Sequence, residues 1–568
     1  MQRDLLNLSR AEYDVLVVGG GAAGAATARE AALRGYRTAL IERQDFGGGT
    51  SAHCFKVVHG GIRYIQHLDV PRLRASCRER SVLLKLAPHL VKPLPFVIPT
   101  YGSAQNSKWF LGAGMLLYDA LTADRNASQP DRKRQVRWTR FLSRDETLSL
   151  FPEVRRERLT GAAVFEDGQM HNPPRLVLAF VTAAQRLGAD VANYVEAERL
   201  LIRDQRVCGV SARDTLTGER FDIRARVVIN AAGPWAEGLL KGASPTASRT
   251  PGTYSRDACF VISRPPQADA ALALQGATRD ADAVLARGGR HLFLVPWRGQ
   301  TLVGVWHSIV RRDPDNVGLT REELQRYIRE INDSYPGFDL RESEVQRTDF
   351  GLVPFGDAAH QGAAQLSFGK QSRLIDHRAS DRLDGLITLI SVRYTVARID
   401  AVRTLDRAGA QLGNRRDGAR SMTDPLAGGD IDSVEGLLND VQRIRPLWLP
   451  ASATESLAAN YGSEARQVLA RADQEASLRR CVGGSTTTLA EVAWAIEKEM
   501  AQTLGDVVFR RTGLGTAGDP GVPALTEVAA YMQQALGWSH KRTGEELHAV
   551  EQEQGRFLAV AEPLRRSA

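Results

Sequence analysis

Three glycines near the N-terminus have the spacing of a nucleotide-binding turn. They are Gly19, Gly21 and Gly24, and the carboxylate Glu42 follows at the distance of about 20 residues that such sites show. Glycines at these places let the backbone approach a pyrophosphate closely, and the N-terminus of a following helix offers it free N–H groups. Glu42 can accept hydrogen bonds from ribose hydroxyls and would repel a 2′-phosphate. The pattern therefore predicts a dinucleotide site that disfavours NADP.

The segments around these glycines supply the elements that position them. Residues 13–18 form a continuous apolar run, typical of a strand buried on both faces. Residues 25–34 are rich in alanine and predict a helix, and residues 38–41 predict a second strand. The alternative is a glycine-rich turn beside a surface glutamate, which would not need this strand–turn–helix–strand order. We therefore expect a Rossmann-like βαβ unit at the N-terminus.

A later segment distinguishes FAD from NAD. Residues 227–229 form another apolar strand, which ends in Asn230-Ala231-Ala232-Gly233. In flavoproteins that bind two dinucleotides such a strand passes beside the FAD, where only small side chains fit. Ordinary NAD dehydrogenases have no such strand that returns to the site from a later part of the sequence. Ala232 and Gly233 therefore join the glycine turn as candidate cofactor-binding residues, and the predicted cofactor is FAD.

Composition and charge limit the class of protein. The chain has 568 residues and is 43% hydrophobic, so it can bury the cores of more than one domain. Its 74 basic and 66 acidic residues give a net charge of +8, which indicates an arginine-rich surface, an anionic membrane partner or an anionic substrate. The basic residues are scattered and no nucleic-acid-binding motif is present, so we expect no nucleic-acid partner.

The cysteines favour a reducing compartment, and the hydropathy argues against a membrane-spanning segment. The chain has five cysteines with no C-x-x-C pair, which argues against a disulfide framework or a zinc site, and no metal is expected. The chain has no apolar stretch of about 18 residues, and its N-terminus lacks a secretory signal. We therefore expect a cytoplasmic protein that lies on a membrane, if it meets one, without spanning it.

The character of the sequence changes after about residue 413. Residues 414–430 are polar and glycine-rich, as in a linker. The later part has mostly helical periodicity and predicts helices at 433–444, 451–461, 465–471, 489–502, 525–536 and 542–559. The predicted fold class is α/β, with a Rossmann-like FAD-binding domain interleaved with an antiparallel-sheet substrate domain over residues 1–420. A C-terminal α-helical domain is predicted over residues 421–568.

The segment 108–121 allows two interpretations. Its sequence, K-W-F-L-G-A-G-M-L-L-Y-D-A-L, is apolar with few charges. A core helix is the favoured interpretation, and a surface that faces a membrane or a quinone is the alternative.

Several longer motifs resemble one family. Residues 56–64 spell K-V-V-H-G-G-I-R-Y, and the H-G-G-I-R-Y part is far more specific than the glycine fingerprint. Residues 79–90, 231–235 and 505–515 extend the likeness over nearly the whole chain. In these motifs the chain is similar to the aerobic FAD-dependent glycerol-3-phosphate dehydrogenases.

The resemblance implies an activity and partners. The family oxidises the secondary alcohol of sn-glycerol 3-phosphate to dihydroxyacetone phosphate, and the substrate hydride goes to flavin N5. The electrons then pass to a membrane quinone, and the enzyme lies peripherally on the inner face of the cytoplasmic membrane. The family's C-terminal domain packs on the FAD domain or mediates dimerisation, so a homodimer is a possible assembly. A small polyol or polyol phosphate is the expected substrate.

The resemblance also assigns roles to residues near the flavin. His59 is the best candidate for the base that removes the alcohol proton, and a hydrogen bond to the flavin or the backbone is its alternative role. Arg63 fits an anionic substrate group through bidentate hydrogen bonds, with a structural ion pair as its alternative. Lys56 can bind a flavin or substrate oxygen, or lie at the surface. Further candidates are Thr50, Ser51 and Thr395 at the cofactor, Tyr64, Cys259, His307 and Lys370 at the substrate, and Arg393 as a catalytic residue.

The likeness breaks where the family binds its substrate. Val353 stands where the family typically has an arginine that contacts substrate, and valine cannot bind phosphate. Cys259 replaces a substrate-side histidine, and Gly304-Val305-Trp306-His307 replaces G-T-T-D. In a strand-to-helix turn the family's two glycines are lost, although Arg393 keeps a positive charge. Lys370 stands about where another family arginine would be.

These departures predict a changed pocket. Loss of one buried phosphate-binding arginine should cost on the order of several kcal/mol of binding, and the bulky Trp306 should reshape the pocket. Oxidation of glycerol 3-phosphate remains the family's default activity. The alternatives are a dehydrogenase or oxidase of another polyol or polyol phosphate, and a flavin-binding homologue without catalysis.

Overall fold

A computed structural model of the chain describes residues 1–568 except 103–107, 128, 242, 244–253, 278–290, 311–313, 355–360, 363–364, 367–371 and 558–568. The described residues form nineteen strands: β1 (Glu12–Val18), β2 (Thr38–Ile41), β3 (Val57–Val58), β4 (Val91–Tyr101), β5 (Arg140–Leu142), β6 (Leu159–Met170), β7 (Asp190–Ala192), β8 (Val195–Arg203), β9 (Arg206–Asp214), β10 (Arg220–Asn230), β11 (Tyr254–Ile262), β12 (Ala271–Gln275), β13 (His291–Trp297), β14 (Gln300–Val310), β15 (Val345–Pro354), β16 (Gln361–Gly362), β17 (Gln365–Leu366), β18 (Arg373–Asp376) and β19 (Leu386–Ile390).

The α-helices of the described residues are α1 (Leu5–Arg10), α2 (Ala22–Leu33), α3 (Val70–Leu86), α4 (Lys108–Leu121), α5 (Arg144–Leu150), α6 (Pro173–Arg186), α7 (Ala236–Leu240), α8 (Arg321–Ser334), α9 (His377–Ser380), α10 (Ala397–Leu412), α11 (Val434–Arg443), α12 (Ala451–Tyr461), α13 (Ala465–Gln474), α14 (Leu489–Glu499), α15 (Val522–Leu536) and α16 (His540–Phe557).

A sheet centred on β1 holds the nucleotide-binding segment. β1 pairs in parallel with β2 and β10, β2 pairs with β7, and β10 pairs in parallel with β19. The antiparallel strands β18, β9 and β8 complete the eight strands. Because β1 is buried on both faces, its apolar residues alternate between two cores. Val15 and Val17 pack with α2, α6 and α10, while Leu16 packs with α1 and α7.

A second sheet of nine strands carries the opposite wall of the site. Its order is β15-β11-β14-β13-β12-β4-β6-β3, with β5 paired to β6, and most of the pairs are antiparallel. Its strands come from two stretches of chain, one between β2 and β7 and the other between β10 and β18. The two sheets are therefore interleaved along the sequence. Helix α8 packs on one face of this sheet, and α4 packs in another apolar cluster beside β4 and β6.

The residues after β19 and α10 form helices with a core of their own. That core includes residues of α11 to α16, among them Leu457, Val492 and Val528. Together with the two interleaved sheets, these helices confirm the predicted fold class. The boundary at residues 420 and 421 stays a prediction.

Helix α4 is half buried. Leu111, Met115 and Tyr118 lie in the interior, whereas Leu116 and Leu117 are 64% and 47% exposed. The segment therefore has a core face and also an exposed apolar face. None of the helices in the described part of the chain has the length and apolar character needed to cross a membrane.

Candidate functional site

One large cavity lies between the two sheets. Its volume is about 950 Å³, and its lining runs from the turn after β1 to strands β11, β14 and β15. Of the predicted site residues, the cavity brings together Gly19, Gly21, Glu42, Thr50, Ser51, His59, Tyr64, Ala232, Gly233, Cys259, His307, Arg393 and Thr395. A chamber of this size and position can hold an extended cofactor and a small substrate together.

The glycine turn has the geometry of a nucleotide cradle. Gly19 has a φ of +107°, and a Cβ there would lie 2.7 Å from the carbonyl oxygen of Ala231. A Cβ on Gly24 would lie 1.8 Å from the carbonyl oxygen of Gly19, so Gly24 lets α2 pack directly on the turn. Gly24 itself does not line the cavity. Helix α2 thus directs its N-terminus toward the cavity, which suits a pyrophosphate.

Glu42 closes the turn from the end of β2. Its Oε2 accepts a hydrogen bond from the Gly20 amide at 2.6 Å, and its Oε1 accepts one from the Gln44 amide at 2.9 Å. Burial raises the pKa of Glu42, and these two backbone hydrogen bonds oppose that rise. The carboxylate lines the cavity where the sequence places the ribose.

Small residues open the cavity beside β10. Gly233 has a φ of +56°, and a Cβ built there would meet no atom within 4 Å. Ala231 binds the end of β1, donating its amide to the Val18 carbonyl at 2.8 Å. The strand end therefore leaves room for a ring system next to the glycine turn, as the predicted FAD requires.

Two buried polar atoms just after β19, on the side of the nucleotide-binding sheet, have no hydrogen-bond partner among the described residues. They are the hydroxyl of Thr395, which is 1% exposed, and Nε of Arg393. The Nη1 of Arg393 donates to the Tyr64 hydroxyl at 2.8 Å and to Ser76 Oγ at 2.7 Å. Because both residues line the cavity, a polar ligand there would satisfy them. These orphan atoms and the cradle fit bound FAD.

The turn that contains His59, within the H-G-G-I-R-Y motif, is held by the buried carboxylate of Asp167. Asp167 accepts the Gly60 amide at 2.6 Å and Arg80 Nη1 at 2.6 Å. Burial raises the pKa of Asp167, and the positive charge of Arg80 opposes that rise. The His59 ring lies on the cavity wall, with its centroid 6.4 Å from that of Tyr64. The side chain of Arg63 lies outside the described residues.

A histidine–carboxylate pair lies on the substrate side of the cavity. His307 on β14 is directly opposite Asp257 on β11, and Nδ1 lies 2.7 Å from Oδ1 of the carboxylate. Ser255 Oγ donates to the same oxygen at 2.6 Å. His307 is among the residues predicted from the sequence, whereas Asp257 is not. An antiparallel pairing of 254–262 with 301–310 would have been the signal, because residues at opposite register positions share a face.

Trp306 is not part of the cavity. Its ring stacks between Phe260 and Tyr327, at centroid distances of 5.4 and 4.4 Å, and its Nε1 donates to Glu330. Side chains alternate along a strand, so Val305 and His307 face the cavity and Trp306 faces the core beneath α8. The expectation that Trp306 reshapes the pocket is therefore wrong.

Val353 and four phenylalanines make part of the wall apolar. Val353 lines the cavity, in register with Ser255 of β11. Phe96 lies between Phe165 and Phe293, at centroid distances of 5.3 and 5.5 Å, and Phe55 lies 6.2 Å from Phe293. All four rings reach the cavity.

Lys56 lies behind the wall instead of in it. It is 2% exposed, and its Nζ donates to Asp349 Oδ2 at 2.6 Å and to the Cys54 carbonyl at 3.2 Å. Asp349 also receives Arg347, and His53 lies 3.0 Å from it. Burial alone would raise the pKa of Asp349, but the charges of Lys56 and Arg347 hold it well below its usual range. Lys370 lies outside the described residues.

Both parts of the chain match models of known protein families. Residues 14–375 match the family model of FAD dependent oxidoreductases, and residues 420–543 match the C-terminal domain of alpha-glycerophosphate oxidase. A glycerol-3-phosphate dehydrogenase of Synechocystis sp. is 30% identical over 562 residues, which cover 96% of this chain and 97% of the relative. The mitochondrial glycerol-3-phosphate dehydrogenase of Macaca fascicularis is 31% identical, over 97% of this chain and 74% of the relative.

A solved structure has the same fold. The glycerol-3-phosphate dehydrogenase of Bacillus halodurans, complexed with FAD, superposes with a TM-score of 0.74 at 23% identity. The superposition covers 98% of this chain and 97% of the other.

Proposed function

Because the chain belongs to the FAD-dependent glycerol-3-phosphate dehydrogenase family, we propose that it oxidises the secondary alcohol of glycerol 3-phosphate to dihydroxyacetone phosphate. It is an oxidoreductase, and its cofactor is FAD. The observation that carries the proposal is the cavity between the two sheets, which joins the glycine turn to His59, His307 and Arg393. FAD held between the glycine turn and Thr395 would supply the acceptor, N5, for the hydride that leaves the substrate carbon.

The protein must hold the alcohol and accept its proton. His59 is the proposed base from the signature motif, and His307 is a second candidate because Asp257 lies against its Nδ1. An imidazole whose Nδ1–H donates to a carboxylate has the tautomer that accepts a proton at Nε2. Either imidazole needs to reach hydrogen-bond distance of the substrate hydroxyl.

Cationic side chains are proposed to bind the phosphate. Arg393 lines the cavity with one donor unsatisfied among the described residues, and Arg63 is the signature's candidate. A guanidinium can bind two phosphate oxygens at once. Arg393 is already oriented by Tyr64 and Ser76, so it would lose little conformational freedom on binding.

A different polyol or polyol phosphate is the second candidate substrate. Val353 faces the cavity where the family typically has a substrate-contacting arginine, and the phenylalanine wall lines the same chamber. An apolar surface at this place favours a substrate with a less polar end than a phosphate ester.

We propose a quinone as the electron acceptor, at the inner face of the cytoplasmic membrane. The exposed Leu116 and Leu117 of α4 give an apolar surface, and the net charge of +8 favours anionic lipid. Oxygen is the alternative acceptor.

Anaerobic reduction of the bound flavin tests the substrate. The purified holoenzyme is mixed with a panel of polyols and their monophosphates, and bleaching of the visible flavin absorption is followed. We expect glycerol 3-phosphate to bleach the flavin, with half-saturation at a concentration in the micromolar to millimolar range. Bleaching only by another member would favour the second candidate, and no bleaching by any member would favour a binding protein without catalysis.

The acceptor is tested on the reduced enzyme. Stopped-flow reoxidation by a soluble quinone is compared with reoxidation by air-saturated buffer. Reoxidation that is faster with quinone, with little peroxide formed, is the expected result. Fast stoichiometric peroxide production would identify an oxidase.

A further inference from the structure

The motif at residues 505–515 lies outside the cavity lining, in the C-terminal helical region. Within it Asp506–Arg511 form a π-helical turn, a rare geometry that is frequent at functional sites. The turn presents two consecutive arginines toward the FAD-binding sheet. Arg511 is 0% exposed, which is uncommon for an arginine and requires charged or polar partners.

Both arginines bind one carboxylate. Arg511 donates from Nη1 to Asp45 Oδ2 at 2.6 Å and from Nη2 to Oδ1 at 2.8 Å. Arg510 Nε donates to Oδ2 at 2.9 Å, and Asn193 Nδ2 donates to Oδ1 at 3.0 Å. Asp45 thus accepts four hydrogen bonds, about as many as its two oxygens can take.

Asp45 belongs to a segment that we call the cofactor loop, residues 42–51. The loop residues that line the cavity are Glu42, Arg43, Gln44, Gly47, Gly48, Gly49, Thr50 and Ser51. Asp45 and Phe46 do not line it, and they are 2% and 1% exposed. The loop therefore faces the cofactor site with most of its residues and is anchored in the protein by these two.

Hydrogen bonds connect the loop to the glycine turn. The Gly47 amide donates to the Gly20 carbonyl at 3.0 Å, and Ser51 Oγ accepts the Ala22 amide at 3.0 Å. Ala22 is the first residue of α2, whose N-terminus faces the pyrophosphate position. A displacement of Asp45 would therefore move both the loop and the cradle.

We propose that Arg510 and Arg511 are positioning residues for FAD, which hold Asp45 and thereby keep the cofactor loop in the conformation that binds the cofactor. The C-terminal helical region thus controls the affinity for FAD, although it contributes no residue to the described lining of the cavity.

The charges make this anchor strong. Burial alone would raise the pKa of Asp45, but the charge and hydrogen bonds of Arg511, with the charge of Arg510, lower it. Asp45 is therefore an ionised group in the interior. Arg511→Lys keeps a positive charge but loses the bidentate pair with Asp45. Asp45→Asn leaves the two arginines without this anion, and both changes disfavour the native position of the loop.

A second buried pair gives a matched control. Arg175 of α6 donates from Nη1 to both carboxylate oxygens of Glu499 at 2.7 Å, and both side chains are 6% exposed. This pair also joins the FAD-binding part to the C-terminal helices, and it makes no hydrogen bond to Asp45. The Glu499 carbonyl accepts Nε and Nη2 of Arg511 at 3.1 and 2.9 Å, so the control removes a neighbouring ion pair of the same cluster. Arg175→Met removes that ion pair and leaves the four hydrogen bonds of Asp45 in place.

The test is the dissociation constant of FAD in the full-length protein. Apoprotein of the wild type, Arg511→Lys, Asp45→Asn and Arg175→Met is titrated with FAD, and flavin fluorescence is followed. We expect Arg511→Lys and Asp45→Asn to raise the Kd about tenfold or more, because the loop then spends about a tenth of its time in the binding conformation. Arg175→Met should lower the thermal midpoint of the apoprotein. It should change the Kd by less than about twofold, because the loop, with its hydrogen bonds to Asp45 kept, stays in the binding conformation for more than about half of the time.

Hydrogen exchange of the holoenzyme as purified gives a readout that does not depend on preparing apoprotein. The amides of residues 47–51 should exchange faster in Arg511→Lys than in wild type, and not in Arg175→Met. An unchanged Kd together with unchanged exchange in both anchor variants would overturn the proposal. So would an equal rise of the Kd in Arg175→Met, since the effect would then belong to the interface as a whole.

Discussion

Two imidazoles at the cavity wall are held in different ways. His59 lies in a turn whose next amide, that of Gly60, is bound by Asp167 at 2.6 Å. The imidazole of His307 is held directly, since its Nδ1 lies 2.7 Å from the Asp257 carboxylate. A carboxylate in that position fixes the tautomer and stabilises the imidazolium that forms when the ring accepts a proton. The two candidates can be separated by removing this carboxylate.

Asp257→Asn tests whether His307 is the base. If it is, kcat should fall about 10²- to 10⁴-fold with little change in KM, because the ring loses its orientation and its charge stabilisation. The flavin content should stay at the wild-type level. The measurement is steady-state kinetics across pH with the substrate found in the anaerobic screen.

Ser255→Ala serves as the control, because it removes another hydrogen bond to the same carboxylate and keeps the charge. If Asp257→Asn keeps its activity while His59→Asn loses it, His59 is the base and the His307–Asp257 pair has another role.

The sequence predicted individual residues of the cavity lining better than it predicted their partners. His307 was predicted because it stands in a segment where the chain departs from the family's G-T-T-D, whereas Asp257 was not predicted, because a pair across strands requires the register of β11 and β14. The same lack of register produced the wrong expectation for Trp306. Lys56 was expected near a flavin or substrate oxygen, and only the fold places Asp349, nearly 300 residues away in the chain, against its ammonium.

At the scale of elements, the position of the start of α2 depends on the absence of a Cβ at Gly24. A Cβ on Gly24 would lie 1.8 Å from the Gly19 carbonyl oxygen, far inside van der Waals contact. That carbonyl belongs to backbone that β1 and Ala231 hold in place, so it cannot move away cheaply. The helix would have to withdraw from the turn and carry its N-terminus away from the pyrophosphate position.

Gly24→Ala should therefore destabilise the protein by about 1–3 kcal/mol, as overpacked sites do, and release FAD. Thermal unfolding and the flavin-to-protein absorbance ratio of the purified protein measure the two effects. Gly544→Ala is the matched control, since Gly544 lies in α16 with no atom within 4 Å of a built Cβ. At that position alanine should raise the free energy of unfolding by about 0.5–1 kcal/mol through helix propensity alone. Equal behaviour of the two variants would contradict the role given to Gly24.

Regular elements could be predicted where periodicity alone determines them. The predicted helix 451–461 has the bounds of α12, and the strand of residues 13–18 lies within β1. The predicted helix 489–502 ends earlier, as α14 does at Glu499, because Met500 adopts a φ of +58°. The π-helical turn of residues 506–511 has no period that a sequence pattern could reveal, and it forms where two arginines must reach one carboxylate.

At the scale of the whole molecule, His89 lies where the chain before β4 meets the C-terminal region. A Cβ on Gly428 would lie 2.9 Å from its Nε2, and one on Gly462 would lie 2.9 Å from its Cγ. Its Nδ1 has no hydrogen-bond partner within the described part of the chain. Burial, with the nearby charges of Arg175 and Arg134, lowers the pKa of His89 to about 3.

The stability of the protein should therefore fall as the pH falls below the ordinary histidine pKa of about 6.5. Between pH 6.5 and about pH 3, His89 is protonated in the unfolded chain but stays neutral in the folded chain. Lowering the pH through this range therefore favours unfolding. From pH 7 to pH 5 we expect His89 to account for about 2 kcal/mol of lost unfolding free energy. Denaturant unfolding at both pH values measures this loss.

His89→Gln should reduce the loss between pH 7 and pH 5 by that amount, since glutamine does not titrate. The exposed His540, changed to glutamine in the same way, should leave it as in the wild type. An equal pH dependence in wild type and His89→Gln would show that His89 does not carry the effect.

The interleaving of the two sheets could be predicted as a pattern, but not the contacts that join its distant parts. β1 is complete at residue 18, yet its neighbour β10 ends at residue 230, and Arg511 lies 466 residues beyond Asp45. Local periodicity does not contain such separations. They become visible only when both partners are placed in one structure.

The distance between Asp45 and Arg511 has a consequence for how the protein is made. At about 5–20 residues per second, a ribosome needs roughly half a minute to a minute and a half to travel between them. During that time the glycine turn has left the exit tunnel, while the arginines that anchor its loop have not yet been synthesised. We therefore expect the nascent chain to bind FAD about tenfold more weakly until Arg510 and Arg511 have been synthesised and have left the tunnel.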